Sequence, residues 1–358
     1  MTALTLSLAA CDSEPTPKER VNNRALPTLA INIKETSVSG ISSGAYMAGQ
    51  FQFAHGELVV GAAIIAGGPY GCAESTFADV IQGPGTAFLN LSRAVNGCMR
   101  DTLRSWGVPD AMELAKKATK RATTGRIASI GDIKSDKIYL FSGRADNTVA
   151  PSIVASAADF YRNLGVGAEN IVAVTDKEAG HAFVTETHGG ACNVSQSPYL
   201  VDCDYDQAGA LLSHIYGTLQ PPTSTTTGEF RRFDQTPFTK DLGDHGLAVT
   251  GAVYIPKSCE VETCRVHIAY HGCAQNRQSV GGRFIEQSGF ARWADTNRIV
   301  VLFPQTSSSP LNPQGCWDWW GFTSNDYLTR KAPQIIAVHR MLSQLAKPPG
   351  ASIGNQPN

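Results

Sequence analysis

The sequence predicts an α/β fold in which a mostly parallel central sheet is flanked by helices. Apolar runs rich in β-branched residues recur in the first half of the chain, at Thr36–Ser39, "LVVGAAIIAG" from Leu58, "KIYLFSG" from Lys137 and "NIVAVTD" from Asn170. Helical patterns separate these runs, such as "PDAMELAKKATKRA" from Pro109 and "SIVASAADFYRNLG" from Ser152. Strands that alternate with helices form a parallel sheet covered on both faces.

The second half of the chain is predicted to complete the same sheet. A Pro/Thr-rich break, "LQPPTSTTTGEF" from Leu219, has the composition of a domain boundary. The elements that follow it are strands in "LAVTGAVYIP", "CRVHIAYHGC" and "IVVLFPQ", and helices in "FIEQSGFARWADTNR" and "APQIIAVHRMLSQLA". They are too few for a second α/β domain. We therefore expect a single domain over residues 30–347, a polar tether over 12–29 and a flexible tail over 348–358.

Composition excludes several classes of partner. The 358 residues carry a net charge of -1, and no basic block stands out, so we expect no nucleic-acid partner. Hydrophobic residues make up 42% of the chain, enough for a sizeable core, and no stretch is long and apolar enough for a transmembrane helix. We expect a monomer that needs no cofactor and no metal.

The nine cysteines indicate an oxidising compartment. Six of them lie in Gly/Pro-rich loops, a placement typical of disulfides rather than metal ligands: Cys72, Cys192, Cys203, Cys259, Cys264 and Cys316. Without Cys11 the remaining eight form an even set. We therefore expect export, either to the periplasm or cell surface or into the medium.

Cys11 ends the run "LSLAAC", which resembles the lipobox of bacterial lipoproteins, in which this cysteine is lipid-modified. Lipidation would attach the protein to a membrane. The segment 1–11 lacks the Lys/Arg start of a signal peptide and is too short to cross a bilayer. Two alternatives stay open, a true start upstream of Met1 or a chance match.

Ser42 lies between Gly40 and Gly44 in "SVSGISSGAYMAGQF", where a β-like run turns into a helical one. This strand, G-x-S-x-G and helix pattern is that of the nucleophile elbow of α/β-hydrolases. The elbow holds the serine in a strained conformation that exposes its hydroxyl, and the two glycines let strand and helix pass without a Cβ clash. The alternative is an ordinary turn, since short Gly/Ser motifs often match by chance.

An acid and a base follow at the ends of later strands, in the chain order that this fold requires. Asp146 follows a buried strand in "LFSGRADNTV", and His181 follows the next strand in "VTDKEAGHAFV". His188 is the rival base, and Asp176 and Glu178 are the rival acids. In the predicted triad His181 takes the proton of Ser42, while Asp146 orients the imidazole and stabilises its charged form.

An oxyanion hole needs two backbone N–H donors. Ser43, the residue after the serine, would supply one. The other normally follows an earlier strand that ends in a His-Gly turn, but such a turn occurs here only downstream, as His271-Gly272-Cys273 in "IAYHGCAQ". A circular permutation resolves this order, because joining the last helix to the first strand restores the usual sequence of elements.

With these residues the chain resembles the type-2 catalytic domain of the poly(3-hydroxybutyrate) depolymerase family, from about Ile31 onward. The motifs that carry the resemblance are "GISSGAYMA", "GEFRRFDQTPF", "YHGCAQ", "RWADTNRIVVLFPQ" and "NPQGCWDWWGF". The family implies the triad above, the backbone amides of Ser43 and Cys273 as oxyanion hole, and a crevice lined by aromatics that accepts one polyester chain. A disulfide between Cys316 and Cys273 would then fix the oxyanion loop.

The residues assigned to substrate binding on this basis are Trp317, Trp319, Trp320 and His271. A tryptophan cluster in a Gly/Pro-rich loop is equally typical of core packing. Many family members also carry a separate polymer-binding domain, and since none is recognised here we expect weak adsorption to crystalline granules.

The sequence therefore predicts an exported serine esterase that hydrolyses poly(3-hydroxyalkanoate), or its oligomers, through an acyl-serine intermediate. Two alternatives remain open. One is an exported carboxylesterase for phenolic or synthetic polyesters, and the other is a non-catalytic envelope binding protein that retains the fold.

Overall fold

A computed structural model describes residues 25–75, 84–100 and 108–349. Its strands are β1 (Thr36–Ile41), β2 (Val59–Ile65), β3 (Lys137–Phe141), β4 (Ile171–Val174), β5 (Phe183–Thr185), β6 (Gly190–Ala191), β7 (Leu200–Asp202), β8 (Glu229–Asp234), β9 (Thr250–Ile255), β10 (Arg265–Tyr270) and β11 (Ile299–Phe303). Its helices are α1 (Ser43–Ala54), α2 (Pro84–Gly97), α3 (Ala111–Thr123), α4 (Ile130–Ile133), α5 (Pro151–Asn163), α6 (Gln207–Tyr216), α7 (Arg277–Val280), α8 (Arg283–Gln287), α9 (Phe290–Asn297) and α10 (Pro333–Leu345).

The main sheet has eight strands in the order β4-β3-β2-β1-β10-β11-β9-β8. The six strands from β4 to β11 are parallel, and the hairpin of β9 and β8 adds an antiparallel edge. β1 and β10 are neighbours at the centre, although more than 220 residues separate them, with Thr36 opposite Val266. The predicted mostly parallel sheet is thus confirmed, and the second half of the chain completes it.

The predicted elements lie close to their expected places, with one exception. The segment "FIEQSGFARWADTNR", predicted as one helix, forms α8 and α9 with a break between them. The break lies at Gly289, whose φ of 87° is a left-handed conformation that ends a helix. A small separate sheet of β5, β7 and β6, which periodicity does not predict, follows the main parallel strands.

Two apolar clusters cover the two faces of the main sheet, as the near-continuous apolar strands require. One cluster contains side chains of α1, α3, α5 and α10, and the other contains side chains of α6, α8 and α9. β1 is buried along its whole length, so the turn that follows it starts from a rigid position at the centre of the molecule.

The first described residues pack against the last helix. Leu26 and Leu29, which lie within the predicted tether of residues 12–29, are buried in the core. The N–H groups of Leu29 and Ala30 donate to the carbonyl oxygens of Leu345 and Lys347, both at 2.9 Å. Ordered packing therefore begins at least four residues before Ala30. Residues 1–24 and 350–358, with Cys11 and most of the tether and tail, lie outside the described residues.

Four disulfides join the eight cysteines other than Cys11: Cys72–Cys98, Cys192–Cys203, Cys259–Cys264 and Cys273–Cys316. The last pair confirms the predicted bridge between the two loops. Four disulfides in one domain are typical of proteins that fold in an oxidising compartment. In the described part of the chain, no helix combines the length and the apolar character needed to cross a membrane.

Candidate active site

Ser42 occupies a tight turn between β1 and α1. Its backbone angles are φ 57° and ψ -122°, a conformation that non-glycine residues rarely adopt. The turn is held from both sides, since the Ser42 N–H donates to Ile65 O and the Ser42 carbonyl accepts from Ala45 N, both at 2.9 Å. The side chain of Ser42 is only partly buried, whereas its neighbours Ile41 and Ser43 are buried. The turn therefore presents one hydroxyl outward from a rigid base.

Gly40 and Gly44 are required by the close approach of backbone segments. A Cβ atom at Gly40 would lie 2.1 Å from the carbonyl oxygen of Gly44. A Cβ atom at Gly44 would lie 2.4 Å from the carbonyl oxygens of Tyr270 and His271. Backbone atoms cannot move aside as the end of a flexible side chain can, so only glycine fits either position. The glycine spacing thus has the steric reason predicted from the sequence.

Asp146 and His181 form a hydrogen-bonded pair. The imidazole Nδ1 lies 2.8 Å from Asp146 Oδ2. The other carboxylate oxygen, Oδ1, accepts from the N–H groups of Thr148 and Val149 at 2.8 and 2.9 Å. The Asp146 side chain is 1% exposed. The carboxylate is held in one orientation, and its hydrogen bond leaves Nε2 of His181 as the outward-facing nitrogen.

The loops that carry Asp146 and His181 are bound to each other along their length. The Ala145 N–H donates to Ala179 O at 3.1 Å, and a Cβ atom at Gly143 would lie 2.1 Å from the same oxygen. On the far side of His181, its own N–H donates to Ser195 Oγ at 2.7 Å. The carboxyl ends of β3 and β4 thus bring both side chains together, as the parallel sheet requires.

Ser42 and His181 line one pocket of about 180 Å³. The other lining residues are Ile41, Met99, Thr148, Ser195, Tyr199, Gly272, Cys273, Gln275 and Gln314. The pocket therefore joins the serine turn, the His181 loop and the 271–275 turn, which are remote from one another in sequence. This places Ser42, His181 and the His-Gly turn around one cavity.

The 271–275 turn lines this pocket with Gly272, Cys273 and Gln275. The N–H groups of Gly272 and Ala274 are engaged, donating to Gln275 Oε1 at 2.8 Å and to Gln314 O at 2.7 Å. No acceptor among the described residues takes the Cys273 N–H. Ser43 opens α1, where the first N–H groups of a helix have no partner within it. The two residues predicted for the oxyanion hole therefore lie next to Ser42, Ser43 in sequence and Cys273 in the lining of the same pocket.

The His271 side chain is hydrogen-bonded to the 271–275 turn. Its ring is completely buried, with Nδ1 donating to Gly272 O at 2.7 Å and Nε2 accepting from Thr306 N at 3.3 Å. Burial lowers the pKa of His271 to about 4, partly offset by the bond to the Gly272 carbonyl, so the ring is neutral at pH 7. The predicted contact between His271 and substrate is not supported, because the side chain is enclosed on all sides.

The three tryptophans are also buried and are absent from the residues that line the pocket. Trp317 packs edge-on against Tyr270, with ring centroids 4.9 Å apart. Trp319 stacks on Tyr46 at 4.1 Å, and Trp320 packs edge-on against Trp319 at 5.9 Å. The core-packing alternative describes them, since each ring has an aromatic partner, and they stabilise the segment that carries Cys316.

The rival residues lie elsewhere. His188 is exposed, and its Nδ1 lies within hydrogen-bond distance of Thr187 Oγ1. Asp176 and Glu178 have side chains that are 66% and 68% exposed. None of them lines the pocket of Ser42. Across the ranges 25–75, 84–100 and 108–349, no three His, Cys, Asp or Glu side chains form a group that would hold a metal ion.

Sequence reasoning missed Ser195, Tyr199 and Gln275, which also line the pocket. Ser195 and Tyr199 lie between Cys192 and Cys203, in a loop that has no periodic pattern. Gln275 lies inside the quoted motif "YHGCAQ", but nothing in that motif indicates which of its side chains face the other loops.

Known proteins resemble this chain over most of its length. No protein-family model matches the chain. The chain is 35% identical over 338 residues to a poly(3-hydroxybutyrate) depolymerase of Delftia acidovorans, covering 93% of this chain and 64% of that protein. It is 33% identical over 339 residues to a polyhydroxybutyrate depolymerase of Talaromyces funiculosus, covering 90% of this chain and 92% of that one.

Two solved structures are similar over 90% of this chain and 99% of theirs, each at 31% sequence identity. One is a PHB depolymerase from Penicillium funiculosum, with a TM-score of 0.79. The other is a serine-to-alanine variant of a PHB depolymerase in complex with an R3HB trimer, with a TM-score of 0.78. These likenesses confirm a single-domain α/β-hydrolase fold. On the sequence identity and the shared fold together, the chain belongs to the poly(3-hydroxybutyrate) depolymerase family.

Proposed function

We propose that this protein is a serine esterase that hydrolyses the ester bonds of poly(3-hydroxyalkanoate) or its oligomers. The observation that carries the proposal is the pocket lined by Ser42 and by His181, whose imidazole is hydrogen-bonded to Asp146 at 2.8 Å. The substrate class rests on family membership. The chain spans 64% of the length of the Delftia relative.

In the proposed reaction the Ser42 hydroxyl attacks the ester carbonyl while His181 Nε2 takes the hydroxyl proton. Asp146 keeps the proton on Nδ1, so that Nε2 is free to accept, and it stabilises the imidazolium that forms. The N–H groups of Ser43 and Cys273 hold the oxyanion of the tetrahedral intermediate, where one such donor contributes about 10²–10³ in rate.

Collapse of this intermediate breaks the bond to the leaving oxygen, which takes the proton from His181, and leaves an acyl group on Ser42. Water then attacks the acyl group with His181 again as base, and Ser42 is released. The position of Ser43 at the first turn of α1 adds the positive end of the helix dipole to the oxyanion site.

We also propose that the chain order is circularly permuted. The strand that ends in the His-Gly turn, β10, is paired with β1 and follows it in sequence, whereas the oxyanion strand of α/β-hydrolases normally precedes the serine. The hydrogen bonds of Leu29 and Ala30 to the end of α10 support this proposal, since joining the two ends would need few residues.

Export, and lipid attachment through Cys11, are further proposals. Export is supported by the four disulfides. Lipidation is supported by the motif "LAAC" alone. The part of the predicted 12–29 tether that precedes the buried Leu26 would then connect the lipid to the domain, and we propose that the protein is a monomer. Mass spectrometry of the protein recovered from membranes would test lipidation, because a diacylglyceryl group adds a defined mass to the peptide that starts at Cys11.

The deciding experiment is product analysis after incubation with amorphous poly(3-hydroxybutyrate), for the wild type and for Ser42→Ala. We expect 3-hydroxybutyrate and its oligomers from the wild type alone. Release of product by both proteins would contradict the catalytic assignment. Hydrolysis of p-nitrophenyl esters without attack on the polymer would favour the carboxylesterase alternative. Failure of an organophosphate to label Ser42 would favour a binding protein.

A further inference from the structure

Gln275 connects two walls of the active-site pocket. Its side chain is 1% exposed, and all three of its hydrogen bonds go to backbone groups. Oε1 accepts from the Gly272 N–H at 2.8 Å. Nε2 donates to the carbonyl oxygens of Pro198 and Tyr199 at 3.2 and 2.9 Å. One amide side chain therefore joins the turn that carries Cys273 to a loop that lies more than seventy residues away in sequence.

That loop also holds the backbone at His181. It is closed by the Cys192–Cys203 disulfide. The carbonyl of Cys192 accepts from Gly180 N at 2.9 Å, and Ser195 Oγ accepts from His181 N at 2.7 Å. The segment before His181 and the His181 backbone itself are thus bound to the same loop that Gln275 binds at its other end. The 192–203 loop is therefore hydrogen-bonded to the His181 backbone at Ser195 and to Gln275 at Pro198 and Tyr199, so it links the base to the 271–275 turn.

The hydrogen bond from the Gly272 N–H to Gln275 Oε1 restrains the neighbouring Cys273 amide. Gln275 Oε1 takes the Gly272 N–H, and the Ala274 N–H is taken by Gln314 O, so the peptide groups on both sides of the Cys273 amide are fixed. With its neighbours fixed, the Cys273 N–H keeps one direction. An oxyanion donor acts through its preorganised direction, and a displacement of a few tenths of an ångström weakens it in the transition state more than in the ground state.

We propose that Gln275 is a positioning residue for the esterase reaction, which holds the Cys273 amide in register with His181. This inference rests on the proposed function. It does not place Gln275 in contact with the reacting atoms. Its effect should appear in kcat, because the oxyanion forms only after substrate is bound.

Gln235 provides a matched control. It is also buried, and it makes the same three kinds of bond: Oε1 accepts from Gln305 N, and Nε2 donates to Ala248 O and Gln305 O. None of these partners lines the pocket. Gln235→Met and Gln275→Met remove the same bonding pattern at similar volume, and they should cost similar stability.

The test measures kcat and KM for p-nitrophenyl butyrate, with unfolding by urea for each variant. For Gln275→Met we expect kcat to fall about ten- to a hundredfold with KM within about threefold, less than the loss of a whole oxyanion donor. For Gln235→Met we expect kcat within about twofold of the wild type. A kcat near the wild-type value in Gln275→Met, or an equal fall in both variants, would overturn the inference.

Gln275→Glu gives a second readout that does not depend on Gln275→Met being folded. Its carboxylate still accepts from Gly272 but faces the two carbonyl oxygens of the loop, and burial raises its pKa. Protonation of this carboxylate restores a hydrogen-bond donor toward the carbonyl oxygens of Pro198 and Tyr199. The ratio of its kcat to that of the wild type should therefore rise as the pH falls from about 9 to 6, and a flat ratio would contradict the inference.

Measurements on the wild type distinguish failure of the proposed esterase function from failure of the Gln275 inference. If the wild type hydrolyses no ester and takes no organophosphate label, the proposed function fails, and this inference fails with it. If the wild type is active and Gln275→Met is equally active, only the inference fails.

Discussion

Replacing Asp146 by asparagine tests the assignment of the acid most sharply, because the structure determines how the new side chain must lie. Oδ1 accepts from the N–H groups of Thr148 and Val149. In Asp146→Asn this position must keep the amide oxygen, since an NH₂ group there would face two donors. The NH₂ group is then directed at His181 Nδ1, where Oδ2 now lies at 2.8 Å.

This arrangement selects the wrong tautomer of His181. Facing an NH₂ donor, Nδ1 must accept, so the imidazole proton moves to Nε2. An Nε2–H cannot take the proton of Ser42. From the effect of this substitution in other serine hydrolases we expect kcat to fall about 10⁴-fold, which is about 5 kcal/mol of transition-state free energy. The bonds to Thr148 and Val149 survive, so the free energy of unfolding should change by less than about 2 kcal/mol.

The assay is the initial rate of p-nitrophenyl butyrate hydrolysis, with the temperature of unfolding followed by circular dichroism. Asp176→Asn is the matched control, because Asp176 is the rival acid and its side chain is 66% exposed. We expect its kcat to equal that of the wild type. A kcat for Asp146→Asn within tenfold of the wild type, or an equal loss in Asp176→Asn, would refute the reasoning.

Three further predictions concern the scaffold. Gly44→Ala puts a Cβ atom 2.4 Å from backbone carbonyl oxygens at the end of β10 and should destabilise the protein by about 3 kcal/mol, measured by urea unfolding. Replacing Cys273 and Cys316 by serine opens a disulfide with a sequence separation of 43 residues, and should cost about 4 kcal/mol by loop entropy and lower kcat. Burial lowers the pKa of His267 to about 3, so protonation of the unfolded chain removes stability as the pH falls below about 6.5. His267→Gln should reduce the loss of unfolding free energy between pH 7 and pH 5 by about 2 kcal/mol.

Each of these predictions has a control in the same molecule. Gly49→Ala, also in α1, places its Cβ atom 3.8 Å from Ile64 Cδ1 and should not destabilise. Serine at both Cys259 and Cys264, with a separation of only 5 residues, should cost about 2 kcal/mol and leave kcat unchanged. Above about pH 8, where a histidine binds no proton in either state, His267→Gln should leave the pH dependence of stability unchanged. If a control changes as much as its variant, or the variant as little as its control, the physical cause given for that prediction is contradicted.

The hydrogen-bond partners of the buried His267 could not be predicted from the periodicity of its strand. Its two ring nitrogens lie 2.6 and 2.7 Å from the hydroxyl oxygens of Ser37 and Ser39. The sequence indicates only a histidine inside a strand. The partners lie on β1, about 230 residues away, and they become visible only once β1 and β10 are paired.

The residues assigned to substrate contact do not line the pocket of Ser42, for a related reason. A tryptophan-rich loop is compatible with a crevice wall and with core packing, because both bury aromatic surface. The choice depends on which elements lie next to the loop. Here Trp319 stacks on Tyr46 and Trp317 packs edge-on against Tyr270, and neither tryptophan lines the pocket.

Sequence alone was enough to predict the candidate chemical groups of this protein and the elements that carry them. The spacing of Gly40, Ser42 and Gly44, the order of acid and base after it, and the alternation of strands and helices each follow from short-range steric and periodic rules. Only in the folded molecule can one see which residues share the pocket. The hydrogen bond from Gln275 to Tyr199 in the 192–203 loop, and the burial of His271 and the tryptophans outside the pocket lining, are visible only there. These depend on packing between segments far apart in the chain, and no local pattern encodes the distance between two such segments.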